Sequence, residues 1–415
     1  MPKREAILRL EFNSPQVPPV RPHFSERTKK AVTLVGCISF LWSMSSLMVF
    51  SILPVFLTET LKVSHVTVGL IEGVAIFASF VAKIFSGVLC DLFRNRKTFI
   101  LVGTFLSILG KMLFPFAITP MLVFFARFID RTSKGIRSAP ADAYVADICQ
   151  SKEEYSYAYG VRQGLYTFGG ACGAAVAMIL LAWTTDHFLF VFACAVIPVI
   201  LSFFLCFKLP KAVPQPLKNR PPISLKKQLE DIKQFPRRFW MIMIVCGVFM
   251  IARFGEVFVT LRAKELGCPV VFLPLPTIFL DIIHASCAFY LGKKITRKKD
   301  EVRILQLGIL VFIVTHFIFM GANNLYMMFL GVSILGIHLG MTQGVLRSML
   351  AEASPVSARG TAFAVFYLVC GASVLIGNTL AGALSDAFGL YSSFLAGGVL
   401  SFFAFLLSFK LKVPH

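Results

Sequence analysis

Long apolar stretches follow one another along almost the whole chain, separated by short polar connectors. About 20 apolar residues suffice for a helix to cross the hydrocarbon of a bilayer. Inside lipid a lone segment must satisfy its own backbone hydrogen bonds, so each stretch predicts a helix. The pattern places spans at 31–57, 66–89, 98–118, 121–147, 157–182, 187–207, 239–261, 269–291, 304–321, 325–350, 361–384 and 390–409. Two stand apart. The stretch 121–147 carries many charges, and 269–291 has Pro269, Pro274 and Pro276 near its start.

The connectors alternate between basic and nearly neutral. The N-terminal tail, the turn with Arg94, Arg96 and Lys97, the stretch 208–238, the turn with Lys293 to Arg303 and the C-terminal tail are basic. The connectors near Lys62, Thr119, Asp186, Asn323 and Asp386 are poor in positive charge. Lys and Arg concentrate on the cytoplasmic side of membrane proteins. Both termini are therefore expected in the cytoplasm, with an even count of twelve crossings. The expected organisation is a basic tail (1–30), six helices (31–207), a cytoplasmic loop (208–238), six more helices (239–409) and a short tail (410–415). Pro210, Pro214, Pro216, Pro221 and Pro222 exclude a long helix early in the loop. Ser224 to Gln234 is predicted as a surface helix capped by Ser224. The halves repeat weakly. Ala146-Asp147 leads to Ala158-Tyr159-Gly160, Ala351-Glu352 leads to Ala362-Phe363-Ala364, and Gly160/Gly173 and Ala364/Gly377 share one spacing. Repeated halves with a site at their interface are a transporter architecture.

Composition agrees with a bilayer. Hydrophobic residues make up 57% of the chain and charged residues 15%, more apolar surface than a soluble core could bury. The net charge of +20 does not indicate nucleic acid here, because the basic residues flank apolar segments, where they set topology and meet anionic lipid headgroups. Ten cysteines stand singly, with no C-x-x-C pair, so no metal or cofactor is expected. The first 30 residues lack a signal-peptide core, which makes the first helix an expected uncleaved anchor. No N-x-S/T acceptor occurs, in keeping with a bacterial inner membrane. No phosphate-cradling G-x-x-x-x-G-K-(S/T) is present, and no large soluble domain remains to hold an enzyme site.

Between the second and third spans the chain reads Gly87-Val-Leu-Cys-Asp91-Leu-Phe-Arg94-Asn95-Arg96-Lys97. Here it resembles the major facilitator superfamily, whose corresponding loop reads G-x-L-x-D-R-x-G-R-(R/K). Gly87, Leu89, Asp91, Arg96 and Lys97 match. Arg94 and Asn95 depart from the pattern, and Asn95 tolerates the left-handed backbone such a turn could need. The resemblance implies an all-α membrane fold of twelve helices in two six-helix pseudo-repeats, with Asp91 and its neighbours gating the cytoplasmic side. The alternative for this motif is a plain basic turn. The second-half counterpart, Gly292 to Lys299, lacks the Asp, and Gly382-Ala-Leu-Ser-Asp386-Ala-Phe-Gly389 reads as a hairpin turn outside.

The fourth span holds Arg127, Asp130, Arg131, Lys134, Arg137 and Asp142. Charges at such depth are expensive in lipid and face one another or a wet cavity. Arg127 with Asp130, and Asp130 with Lys134, share a helix face by spacing. The alternative is a helix that starts late, leaving Lys134 to Asp142 at its cytoplasmic end. The fifth span carries Gly160, Gly169 and Gly173 before Ala174. The superfamily's drug/proton antiporters show this spacing with a Pro in place of Ala174, while small residues for tight helix packing explain it equally. Further embedded ionisable residues are Glu72, Lys83, Lys111, Arg162, Arg253, Glu256, Asp281, His284, His316, His338 and Arg347. Arg253/Glu256 and Asp281/His284 are each spaced as possible pairs along a helix. A proton-coupled carrier needs a carboxylate that loads and unloads a proton, and Asp130, Glu256, Asp281 and Glu72 are the candidates.

The candidate substrate or coupling-ion residues are thus Glu72, Arg127, Asp130, Arg131, Arg162, Arg253, Glu256, Asp281 and His284. The expected function is secondary active transport of a small solute by alternating access, coupled to protons or another ion, with membrane lipids as partners and the chain as a monomer. Efflux of a drug or siderophore-like metabolite and import of an anionic metabolite are both open. A membrane-embedded enzyme would need clustered metal ligands or a nucleophile beside a base, and a scaffold would not need buried charges.

Overall fold

The structure, a computed structural model, describes residues 26–93, 95–149, 152–185, 187–210, 232–294, 298–355 and 358–411. Helices and turns make up the described residues, with no strand among them. The first crossing is α1 (Glu26–Phe50), the short α2 (Leu53–Val55) and a π turn (Phe56–Thr60). Then follow α3 (His65–Phe93), α4 (Arg96–Leu113), α5 (Pro120–Ile148) and α6 (Lys152–Thr184). The sixth crossing is split into α7 (Phe188–Cys194) and α8 (Val196–Phe207), and the seventh into α9 (Arg237–Ala252) and α10 (Val257–Glu265). The remaining crossings are α11 (Leu275–Lys294), α12 (Lys298–Gly321), α13 (Leu325–Ala353), α14 (Arg359–Phe388) and α15 (Leu390–Ser408).

Eleven of these crossings are long and apolar enough to span a membrane. The twelfth, α5, equals them in length and is set apart only by its charges. Several helices outrun their apolar windows: α3 ends at Phe93 and α6 begins at Lys152. Backbone hydrogen bonding carries a helix into the headgroup zone, past the point where hydropathy falls. The expected surface helix from Ser224 lies outside the described residues, apart from its last three positions, as does the tail 1–25.

Three expectations of single helices need correction. The sixth crossing turns at Ala195 between α7 and α8, and two others carry wider breaks. The first crossing is interrupted after Phe50, and the seventh after Ala252. The second break is held by Asn378 of α14, whose Oδ1 accepts from the Gly255 N–H at 2.8 Å while its Nδ2 donates to the Val374 carbonyl at 2.8 Å. A side-chain amide thus replaces a missing helical partner inside the bundle, where backbone groups must not be left bare.

The packing repeats. In the first half α1 lies on α6 and α8, α4 on α5 and α8, and α3 on α5. In the second half α9 lies on α14 and α15, α12 on α13 and α15, and α11 on α13. Each contact in one list is the other shifted by six crossings. The glycines show the same shift: a Cβ on Gly173 would collide with the Met44 carbonyl of α1, and one on Gly377 with the Ile251 carbonyl of α9. Helix caps repeat as well. Thr119 Oγ1 accepts from the Leu122 N–H at the start of α5, and Asn324 Oδ1 accepts from the Met327 N–H at the start of α13.

The halves meet along α3 with α14 and α6 with α11. At the end away from the termini, Asp386 of α14 reaches the start of α3. Its Oδ1 accepts from the His65 N–H at 2.8 Å and lies 2.8 Å from His65 Nδ1, and its Oδ2 accepts from the Val66 N–H at 2.9 Å. Lys264 meets Glu59 at 3.3 Å on the same end. Asp386 is therefore more than part of a hairpin turn. It supplies the N-terminal cap of a helix in the other half, where a carboxylate meets bare N–H groups and a favourable dipole.

Candidate functional site

Helix α5 runs unbroken from Pro120 to Ile148, with Pro140 inside it, so it does not start late. At about 1.5 Å per residue, Arg127 lies roughly 11 Å along the helix and Arg137 roughly 26 Å. Arg127 and Asp130 are buried to 1% and 0% exposure. Burying a lone charge costs several kcal/mol, so each must find an opposite charge or a ligand.

Most do, across helices rather than along α5. Arg127 grips Glu72 of α3 with two parallel bonds, Nε to Oε1 at 2.6 Å and Nη2 to Oε2 at 2.5 Å, the bidentate geometry that suits guanidinium and carboxylate. Asp130 pairs with Lys111 of α4, and its Oδ1 also accepts from Ser107 Oγ at 2.9 Å. Lys111 reaches Ser46 of α1 at 3.2 Å. Arg162 of α6 pairs with Asp142 of α5. The spacing-based pairs Arg127/Asp130 and Asp130/Lys134 are thus not the ones formed. A partner on a neighbouring crossing meets the charge head-on, whereas one a turn away along the same helix reaches it only obliquely.

Three cations of α5 stay outside these pairs. Among the described residues Arg131, Lys134 and Arg137 have no carboxylate at ion-pair distance. Aromatic side chains hold them instead. The Arg131 guanidinium stands 4.2 Å from the Phe50 ring centre and that of Arg137 4.4 Å from Trp42. Lys134 Nζ lies 5.9 Å from the Trp42 ring centre and 5.7 Å from that of Tyr166. Trp42 of α1 and Tyr166 of α6 are stacked on each other. A desolvated cation–π contact contributes about 2 kcal/mol, less than the several kcal/mol that desolvating an unpaired charge costs. The rings position these cations without neutralising them. Buried polar atoms lacking a partner gather nearby: Nε of Arg131 and Arg137, Nε1 of Trp42, and the hydroxyls of Ser39, Ser43 and Thr132. Trp42, Tyr166, Lys111, Lys134 and Arg137 escaped the sequence-based set of site residues. The spacing 127–131–134–137, one stripe of a helix, was the available signal for Lys134 and Arg137.

The second half is different. Arg253 and Glu256 occupy the break between α9 and α10 and do not form the expected helical pair. Asp281 and His284 on α11 do not bond to each other either. His284 sits in the field of Arg253 and Arg347. Asp281 turns to the other half. Beside Gly170 of α6, where a Cβ would stand 3.4 Å from Asp281 Oδ2 and 3.2 Å from Ser43 Oγ, its carboxylate feels Lys134 across the interface and Glu256 on its own side. Among the described residues Asp281 has no hydrogen bond or ion pair.

Of the expected gate residues, Arg94 and the side chain of Asp91 lie outside the described residues. Gly87 is in the last turns of α3, facing Ala139. Arg96 donates through Nε to Asp147 at 3.1 Å, tying α4 to the end of α5. Lys97 Nζ donates to the carbonyls of Phe207 and Leu209 at 2.7 and 2.8 Å, capping the end of α8. Asn95 is not left-handed: at φ −124° it is the N-cap of α4, accepting from the Thr98 N–H. On α6, Gly169 and Gly173 press against the carbonyls of Phe40 and Met44, while Gly160 meets open space. Close helix packing therefore accounts for that pair.

Two related six-crossing halves, with charged side chains buried inside rather than facing lipid, define a polytopic membrane carrier. The family model for the Major Facilitator Superfamily matches residues 35–305 and 282–415, and the chain belongs to that family. It is 25% identical over 390 residues to the MFS-type transporter MJ1317 of Methanocaldococcus jannaschii, covering 91% of this chain and 94% of that one. A second transporter of this type from the same organism, MJ1560, is 21% identical, covering 85% and 90%. Among solved structures, a mutant form of the nucleoside transporter NupG superposes with a TM-score of 0.79 at 13% identity, covering 92% of this chain and all of that one. A bacterial homologue of the human lysosomal transporter Spinster gives 0.72 at 16% identity, covering 94% and 98%. The protein is an integral membrane transporter of the secondary class, not an enzyme.

Proposed function

We propose that the chain carries a small anionic solute across the membrane by alternating access, with a proton as coupling ion and both termini in the cytoplasm. The observation that carries the anionic reading is the imbalance inside the first half. Glu72, Asp130 and Asp142 are each matched to one cation, and Arg131, Lys134 and Arg137 remain over. Such an interior repels a cationic solute and leaves a neutral one with unfavourable surroundings.

Among the carboxylates available for a proton, Glu72 and Asp130 are locked into pairs within one half. Asp281 stands at the interface of the halves without a partner, so a proton there is felt by both sides of the rocking movement. Asp281 is the proposed coupling residue. Asp91 and its neighbours from Gly87 to Lys97 are the proposed gate at the end bearing the termini. The Arg96–Asp147 link supports this by making the turn and the end of α5 move together.

Flux into proteoliposomes tests the reading. Labelled phosphate, succinate and benzoate are offered beside neutral ribose and cationic tetraphenylphosphonium, with and without an imposed pH gradient. An anion is expected to accumulate only with the gradient. Asp281→Asn is expected to abolish gradient-driven accumulation while keeping exchange of solute across the membrane. Accumulation that survives in Asp281→Asn would remove the coupling role, and flux of no solute under any gradient would remove the carrier reading.

A further inference from the structure

The cations of α5 fall into two groups with different fates. Arg127 is matched by Glu72, while Lys111 of α4 and Arg162 of α6 are matched by Asp130 and Asp142 of α5. These contacts tie α3, α4, α5 and α6 together. The second group, Arg131, Lys134 and Arg137, ties nothing to a carboxylate. We infer that Arg131, Lys134 and Arg137 of α5, with the indole N–H of Trp42, form the oxyanion-binding surface of this carrier, taking a carboxylate, phosphate or sulfonate group of the solute.

This deepens the transport reading and rests on it. Three observations converge. The first is charge: three cations on one stripe have aromatic side chains beside them and no carboxylate. The second is unspent donors. Arg137 and Trp42 are buried to 3% and 1% exposure, yet Arg137 Nε and Trp42 Nε1 have no acceptor, and Arg131 Nε has none either. Guanidinium and indole nitrogens only donate, so what completes them is an acceptor. An oxyanion brings several lone pairs and the missing negative charge at once. The third is the arrangement of the walls. Phe50 and Trp42 come from α1, the cations from α5 and Tyr166 from α6, so three crossings of one half converge on the surface. The fourth wall belongs to the other half, where the Asp281 carboxylate stands beside Gly170 and lies in the field of Lys134. This carboxylate is the anion that the second half presents to the cations, and an arriving oxyanion takes over that position.

Neither group is predicted by its depth alone. Arg127 and Arg137 are both buried, and one is spent on a carboxylate while the other is not. The guanidinium that holds the helices is separated by about ten residues of α5 from the one left for solute, roughly 15 Å along the axis.

Trp42 supplies its own reporter. The chain has three tryptophans, and Trp183 and Trp240 are exposed on the outside of the bundle. In a Trp183→Phe/Trp240→Phe background the full-length protein in detergent is titrated with inorganic phosphate, succinate, methanesulfonate and ribose while Trp42 fluorescence is read. A saturable change with at least one oxyanion and none with ribose is expected. The oxyanion that responds identifies the headgroup. Lys134→Gln and Arg137→Gln are each expected to weaken it at least tenfold, whereas Arg137→Lys, which keeps the charge and the fold, weakens it less. A thermal melt of each variant separates lost binding from lost folding. No response to any oxyanion, or an unchanged affinity in folded Lys134→Gln and Arg137→Gln, would overturn the assignment. If the same proteoliposomes carry ribose or tetraphenylphosphonium and no anion, the oxyanion surface fails while the carrier stands. If they carry nothing, the carrier fails, whatever Trp42 reports.

Discussion

The two halves of this transporter share a helix arrangement and fill it with opposite chemistry. In the first half, the space between α3, α4, α5 and α6 is bridged by the pairs Arg127–Glu72, Lys111–Asp130 and Arg162–Asp142. In the second half, rings pack between α9, α12, α13 and α15. Phe312 lies face to face with His338, their centres 4.1 Å apart at an 11° tilt, while Phe249, Phe254 and Phe394 surround His338 and His316. Both histidines are held through Nδ1 by backbone carbonyls, His338 by Gly308 at 2.8 Å and His316 by Phe312 at 2.9 Å. The α4–α5 contact of the first half is thus bridged by the Lys111–Asp130 ion pair, and its counterpart α12–α13 by the stacked rings of Phe312 and His338. What both halves keep is the helix-to-helix contact through Gly173 and Gly377. The frame depends on close backbone approach, and the filling is free to serve function.

The contrast can be broken most severely in the first half. Glu72→Gln leaves Arg127 buried and unmatched, and is expected to destabilise the protein by about 3–5 kcal/mol, seen as a lower midpoint in thermal unfolding of the purified protein. The double variant Glu72→Gln/Arg127→Met is expected to recover most of that loss, because no charge is then left bare. An unchanged midpoint in the single variant would show that this pair does not hold α3 to α5. The glycine contacts test what the halves have in common. Gly173→Ala and Gly377→Ala each force a methyl into a carbonyl of the facing helix, at an expected cost of about 1–3 kcal/mol apiece. Proteolytic susceptibility should rise to a similar extent in both. A large rise in only one would mean that the repeat is not a mechanical equivalence.

Asn378→Ala removes both bonds that support the break in the seventh crossing and should cost about 1–2 kcal/mol. Cysteine labelling at position 255 is expected to become faster in the variant, and equal rates would argue that the break stands without its amide. The smallest change sharpens the contrast. His338→Phe keeps a ring in the stack and gives up one bond to Gly308, so a loss of about 1 kcal/mol or less is expected. A loss as large as that of Glu72→Gln would mean that the ring stack holds α12 to α13 through more than packing and one hydrogen bond.

The number and type of the elements were legible in the chain because lipid imposes length and apolarity on each crossing separately. Local signals for the breaks in the first and seventh crossings were present, Pro54 in one and Arg253-Phe-Gly255-Glu256 in the other, but hydropathy averaged over a whole span passes over them. The Asn378 amide that supports the second break lies more than 120 positions away in sequence. Asp386 was visible as part of a turn, but its caps on His65 and Val66 depend on α14 lying beside α3. The charged stripe of α5 was also visible, and local spacing suggested pairs along the helix that do not form.

Sequence alone determined that this is a membrane protein of twelve crossings in two related halves, because hydropathy and small-residue spacing act locally and each span records them by itself. It also marked which ionisable residues fall inside the apolar stretches. Only the tertiary structure decided which of those charges are spent on one another. Ion pairing is a matter of a few ångströms between helices far apart in the chain, and Glu72 with Arg127 or Lys111 with Asp130 becomes a pair only when α3, α4 and α5 are packed side by side.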